Sequence, residues 1–168
     1  GDPTETVNVI TTSDRWGLST VKMIYSPLYM NNADGINWFL ATDYSVSDDN
    51  LTYTFKLRDD VKWSDGEQFT ANDVRFTIDR LKDSDTIYSA NVANVTTVEV
   101  IDNTTLKITL NQEVPFFEYN LTFPILSSSY YSDKEFNPDI VPVGTGMYKV
   151  SDVQNSALIL TKNENYPD

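Results

Sequence analysis

From residue 51 to residue 58 the side chains alternate without interruption, with Leu51, Tyr53, Phe55 and Leu57 on one side and Thr52, Thr54, Lys56 and Arg58 on the other. A period of two fits a half-buried antiparallel strand and no amphipathic helix. The chain is therefore expected to build a sheet with one wet face and one core face. Its 168 residues suffice for a sizeable core. An apolar content of 40%, including 12% aromatics, keeps it out of the disordered class despite a net charge of -13.

A second strong signal follows. Thr70 stands at a helix N-cap with Asp73 three residues on, Phe69 and Val74 occupy the staple positions, and Val74, Ile78 and Leu81 form a buried stripe. Asp73 near the start and Arg80 and Lys82 at the end suit the helix dipole, so a helix is predicted over 71–82. The Asp73 side chain is short, which predicts a weaker capping box than glutamate would make.

Elsewhere the pattern is coarser. Val7, Val9 and Ile10 suggest a first strand, followed by a loop over 12–17 and a short helix signalled by Val21, Ile24, Tyr25 and Leu28 at helical spacing, which Pro27 limits. Residues 31–35 read as a turn, Trp38, Leu40 and Tyr44 as an alternating apolar set, and 47–50 as a polar break. A brief strand ends at Trp63 before a tight turn over 64–67. Residues 83–94 are polar and irregular around Tyr88. Val98 and Val100 then pair in a hairpin with Leu106, Ile108 and Leu110 across Asp102-Asn103. Pro115 opens a predicted helix with Phe116, Phe117 and Leu121 at core spacing, and 127–142 reads as loop. Gly144-Thr145-Gly146 leads into a strand over 148–150, and 157–161 gives the last one. Strands and helices mix without a βαβ rhythm, so the fold class is α+β with a mainly antiparallel sheet.

Composition narrows the function. Twelve Lys plus Arg stand against 25 Asp plus Glu, a field that opposes nucleic acid and anionic membranes. Without His or Cys there are no imidazole bases, thiolate nucleophiles, zinc fingers or iron-sulfur sites. Asp48-Asp49, Asp59-Asp60 and Asp83 with Asp85 read as solvated turn acids. An EF-hand loop from Asp48 would need Gly at its sixth place and Glu at its twelfth, where Tyr53 and Asp59 stand. Gly144-Thr145-Gly146 lacks the Lys-Ser/Thr of a phosphate loop and opens a strand, which leaves a tight turn with positive φ at one glycine or, failing that, close backbone packing. The Asn-x-Ser/Thr sequons at Asn50, Asn94, Asn103 and Asn120 are about what chance supplies in this composition. Catalytic residues, metal ligands and cofactors are assigned to none.

Several segments in order carry a resemblance. Leu51-Thr-Tyr-Thr-Phe-Lys-Leu-Arg58, Asp60-Val-Lys-Trp63, Asp65-Gly66, Phe69-Thr-Ala71, Asp73-Val74 and Arg80-Leu81 are preceded by Ile24-Tyr25-Ser26-Pro27-Leu28 and followed by Pro142-Val-Gly-Thr-Gly-Met-Tyr148 and Asn163-Glu-Asn-Tyr166. From about residue 20 onward this order resembles the family 5 solute-binding proteins, the peptide, dipeptide and nickel receptors of ABC importers. Met147, Glu164 and Pro167 depart from the usual pattern.

The resemblance implies part of the first lobe of a periplasmic-binding-protein-like, two-lobed receptor that encloses solute between its lobes. Residues 1–28 would open the base of that lobe, 29–142 form an inserted α+β subdomain, and 143–168 return to the base. Implied partners are a small peptide or other small solute and ABC transporter permease subunits, outside the cytoplasm, with membrane contact only through a lipid anchor. By position, Thr12, Ser13 and Trp16 after the first strand and Tyr88 after the long helix would face ligand. Two rivals differ in class. A carboxylate-dependent hydrolase needs two acids converging on a cleft. An adhesion or carbohydrate-binding module needs an exposed aromatic platform.

Overall fold

The computed structural model describes residues 15–134, 141–154 and 157–167. The predicted alternation becomes β4 (Thr52–Leu57), central in an antiparallel four-stranded sheet of order β3-β4-β6-β5, with β3 (Ala41–Val46), β5 (Val95–Asp102) and β6 (Thr105–Leu110). Tyr53, Phe55 and Leu57 are buried and Lys56 is exposed. Phe55 lies opposite Tyr44 on one side and Leu106 on the other. Its face continues as an aromatic stack, since Tyr29 and Tyr44 have ring centroids 6.2 Å and 5.6 Å from Phe55.

Helix α2 (Ala71–Lys82) has the predicted bounds and buries Val74, Ile78 and Leu81. Thr70 and Asp73 form the capping box, with the Thr70 amide donating to Asp73 Oδ2 at 2.9 Å. The short carboxylate is no handicap. It is buried, and it also accepts from the Trp63 indole at 3.2 Å and from the amide and hydroxyl of Ser128, each at 2.8 Å. One side chain thus pins the helix start to Trp63 and to the distant segment that begins at Ser128. A longer side chain would place these acceptors elsewhere.

Helix α1 (Arg15–Ile24) begins earlier than the sequence implies, so the loop expected over 12–17 already gives way to helix at Arg15, and Trp16 belongs to α1. Residues 29–38 form a small hairpin, β1 (Tyr29–Asn32) with β2 (Gly35–Trp38), turning at Gly35 with φ +116°. The strand expected before Trp63 reduces to a single bridge between Lys62 and Gln68, with Gly66 at φ +92° in the turn. The helix expected from Pro115 is only a 3-10 turn over Phe117–Asn120. Phe116 before it is left-handed at φ +57° and 73% exposed, whereas Phe117 and Leu121 are buried as expected. Within the stretch read as loop, the one-turn α3 (Ser128–Tyr131) forms with Ser127 at its N-cap. Strands β7 (Tyr148–Gln154) and β8 (Ala157–Lys162) pair antiparallel as a third, two-stranded sheet.

Positive φ at Gly144 or Gly146 is not observed, and the reason for glycine is proximity. A β-carbon at Gly144 would overlap the Ile24 carbonyl, and one at Gly146 would overlap the carbonyls of Met23 and Ile24. The Gly146 amide instead donates to the Ile24 oxygen at 2.8 Å, which satisfies a carbonyl at the end of α1. The first strand expected around Val9 lies outside the described residues.

Candidate functional site

Four segments far apart in sequence meet beside the end of α1. Pro27 and Pro124 form an antiparallel bridge, the Ile125 amide donates to the Ser26 oxygen at 3.1 Å, and Gly146 joins Ile24. Asn163 then clamps the glycine turn, its side-chain amide donating to the Gly146 oxygen at 2.9 Å and its main-chain amide to the Met147 oxygen at the same distance. Asn165 reaches the Trp63 carbonyl at 3.0 Å. This junction is the floor of a trough made of two adjoining cavities that share Ser26, Phe39 and Tyr166.

The larger cavity, about 240 Å³, is mainly apolar. Leu18, Val21 and Lys22 reach it from one face of α1, because spacings of three and four residues coincide on a helix. Met30, Phe39 and Tyr88 supply much of the opposite wall. The loop holding Tyr88 is fixed by Ser89, whose hydroxyl donates to the Ser84 oxygen at 2.6 Å and accepts the Thr86 amide at 2.9 Å. The ring packs 6.4 Å from that of Phe123. Partial burial holds the Tyr88 hydroxyl above the ordinary tyrosine pKa, so it is a neutral hydrogen-bonding group.

A buried tyrosine pair lies beside this floor. The hydroxyls of Tyr25 and Tyr131 are 2.5 Å apart, and Tyr131 Oη accepts the Val143 amide at 3.0 Å. Burial is the main cause of an upward shift at both, to about 12 at Tyr131, where the hydrogen bonds from Tyr25 and Val143 pull the other way. The pair fastens the return segment to α1.

Among the expected ligand-facing residues, Tyr88 lines the trough and Trp16 lies on the helix that forms one wall. Thr12 and Ser13 lie outside the described residues. Met30, Phe39, Thr145 and Met147 also line the trough. No sequence signal marks them as a group, because their meeting depends on tertiary approach of segments over 100 residues apart. No Asp or Glu lines either cavity among the described residues, so a hydrolytic acid pair has no place there. No group of three or more Asp or Glu residues there is arranged to hold a metal.

Relatives share this architecture. A structure of the ABC transporter substrate-binding protein CtaP from Listeria monocytogenes superposes with a TM-score of 0.85 at 32% identity, over 96% of this chain and 35% of that one. NikZ from Campylobacter jejuni, solved in complex with Ni(L-His), gives 0.78 at 28% identity over 87% of this chain and 31% of its own. The glutathione-binding protein GsiB of Escherichia coli O1:K1 is 35% identical over 144 residues, 82% of this chain and 28% of GsiB. The chain thus spans roughly 30% of the length of the relatives it matches. The sequence model described as bacterial extracellular solute-binding proteins, family 5 Middle, matches residues 36–168, which covers the sheet, α2 and the glycine turn, and the chain belongs to that family.

Proposed function

We propose that this chain forms part of the first lobe of a receptor that captures a short peptide outside the cytoplasm and delivers it to an ABC importer. The family is one of binding proteins rather than enzymes. In this reading residues 1–28 and 143–168 make the base of the lobe and 29–142 an inserted subdomain. The junction supports that division, since the bond from Gly146 to Ile24 ties the two base segments to each other and the Pro27–Pro124 bridge ties the first of them to the edge of the insert. Thr12, Ser13, Trp16 and Tyr88 belong to the proposed ligand-facing surface.

The observation that carries the reading is the open trough. Its larger half offers apolar walls with the Tyr88 ring among them, but at about 240 Å³ it falls short of the roughly 300–1,000 Å³ of sites that enclose a ligand. A wall of this kind fits one side of a site completed by a second lobe closing over the solute. Aromatic and aliphatic contacts would accept varied side chains. Among the relatives above, GsiB is named for glutathione, which is a tripeptide, and this favours a peptide over a metal chelate. A nickel complex, as in NikZ, is the second reading.

Amide chemical shifts of the isotopically labelled 168-residue chain, followed during titration with a tripeptide to millimolar concentration, test the proposal. Shifts confined to Met30, Phe39, Tyr88 and their neighbours are expected. Shifts confined to Phe116 and Tyr119, the exposed aromatic pair, would instead favour an adhesion module.

A further inference from the structure

Where the trough continues past Ser26 and Phe39, its chemistry changes. The smaller cavity is lined by Ser26, Asn37, Arg58 and Thr145 among apolar neighbours. Thr145 is 1% exposed, yet its hydroxyl has no hydrogen-bond partner. An orphaned buried hydroxyl costs stability. The Arg58 guanidinium spends Nε and one terminal nitrogen on Asp60, at 2.8 Å each, and retains its other terminal nitrogen. The Ser26 hydroxyl donates over a long 3.4 Å to the Thr145 carbonyl.

Charge adds an independent argument. The protein carries 25 Asp plus Glu in 168 residues. Even so, neither cavity is lined by an acid among the described residues, and each is lined by one cation, Lys22 in the larger and Arg58 in the smaller. In a strongly negative molecule the trough is a place where an anion is not repelled at close range.

Resting on the receptor reading above, we propose that the smaller cavity is a polar subsite that receives the carboxylate end of the ligand, with the Thr145 hydroxyl as its buried donor and Ser26 and Arg58 beside it. The apolar remainder of the ligand lies against Val21, Met30 and Tyr88. This fixes the ligand's direction along the trough and makes it an amphipathic anion. It also assigns Thr145 a role that opposes stability, because the hydroxyl is left unpaired until ligand arrives.

The test uses two probes, the dipeptide Leu-Leu with a free carboxylate and its C-terminal amide, titrated by amide shifts into the 168-residue chain and into Thr145→Val. Valine keeps the shape and removes the hydroxyl. Wild type should bind the carboxylate at least about fivefold more tightly than the amide, and Thr145→Val should lose that preference while its Tm stays equal or rises. Equal binding of both probes by wild type, or a preference that survives in Thr145→Val, overturns the subsite but leaves the receptor reading standing. A Tm that falls in Thr145→Val overturns it too, since the hydroxyl would then be serving the fold. Absence of any shift at Tyr88 with either probe sinks the subsite and the receptor reading together.

Discussion

Asp73, in the first turn of α2, takes both the amide and the hydroxyl of Ser128 on a single carboxylate oxygen, each at 2.8 Å, across 55 residues of sequence. Its other oxygen holds the Thr70 amide and the Trp63 indole. A capping residue has become the tie between α2, the turn after Trp63 and α3. Removing it strands several buried donors at once, so Asp73→Ala should cost about 3 kcal/mol or more. Thr70→Ala removes one side chain of the box and should cost about 1 kcal/mol. Urea midpoints at equal m-value measure both. A Thr70→Ala loss as large as that of Asp73→Ala would contradict the hub.

The glycines divide into two kinds. Gly35 and Gly66 have positive φ with open space where a β-carbon would stand, so alanine there should cost roughly 1–2 kcal/mol of backbone strain. Gly144 and Gly146 have no room, because the carbonyls ending α1 occupy it. Alanine at either should cost on the order of 3 kcal/mol or prevent folding. Thermal unfolding of the four variants should rank them in that order. Gly146→Ala as mild as Gly66→Ala would show that the return segment can move away from α1.

The buried tyrosines predict a loss of stability at alkaline pH. Tyr131 titrates near 10 when unfolded and at about 12 when folded, and Tyr25 is also shifted upward. Raised folded pKa values mean that the stabilisation is complete below pH 10 and is lost as pH climbs toward 12 and beyond. Urea midpoints at pH 8, 10 and 11.5 should fall across that window. Tyr131→Phe should start from a lower midpoint, since it loses the Tyr25 and Val143 bonds, and then decline less steeply. Parallel pH curves for the two proteins would contradict the assignment.

Legibility in sequence tracked how local each interaction is. The alternation at 51–58 and the Thr70-Asp73 cap are complete within a few residues, and both became the elements they implied. The hairpin at 29–38 was hidden because its facing positions, such as Asn31 with Ile36, lack an alternating apolar face. Phe116 looked like a core residue by spacing, but a left-handed backbone turns it outward. The glycine turn signalled a special backbone without saying which kind, since the obstacle is the end of a helix some 120 residues earlier. The trough follows the same rule. Tyr88 is named by its position in a family pattern, whereas Thr145 and Phe39 come to line the trough only when distant segments meet.

The central claim, that this chain provides one wall of a site shared between two lobes, is tested most directly by calorimetric titration of the folded 168-residue chain with a mixed library of di- to pentapeptides. A ligand touching one wall loses much of the contact area that a closed site would bury, while the cost of immobilising it remains. No saturable binding at micromolar concentration is predicted, only weak heats that approach saturation in the millimolar range, roughly 4 kcal/mol of binding free energy. Tight one-to-one binding would mean that the trough already encloses its ligand, and the division of the site between two lobes would be wrong.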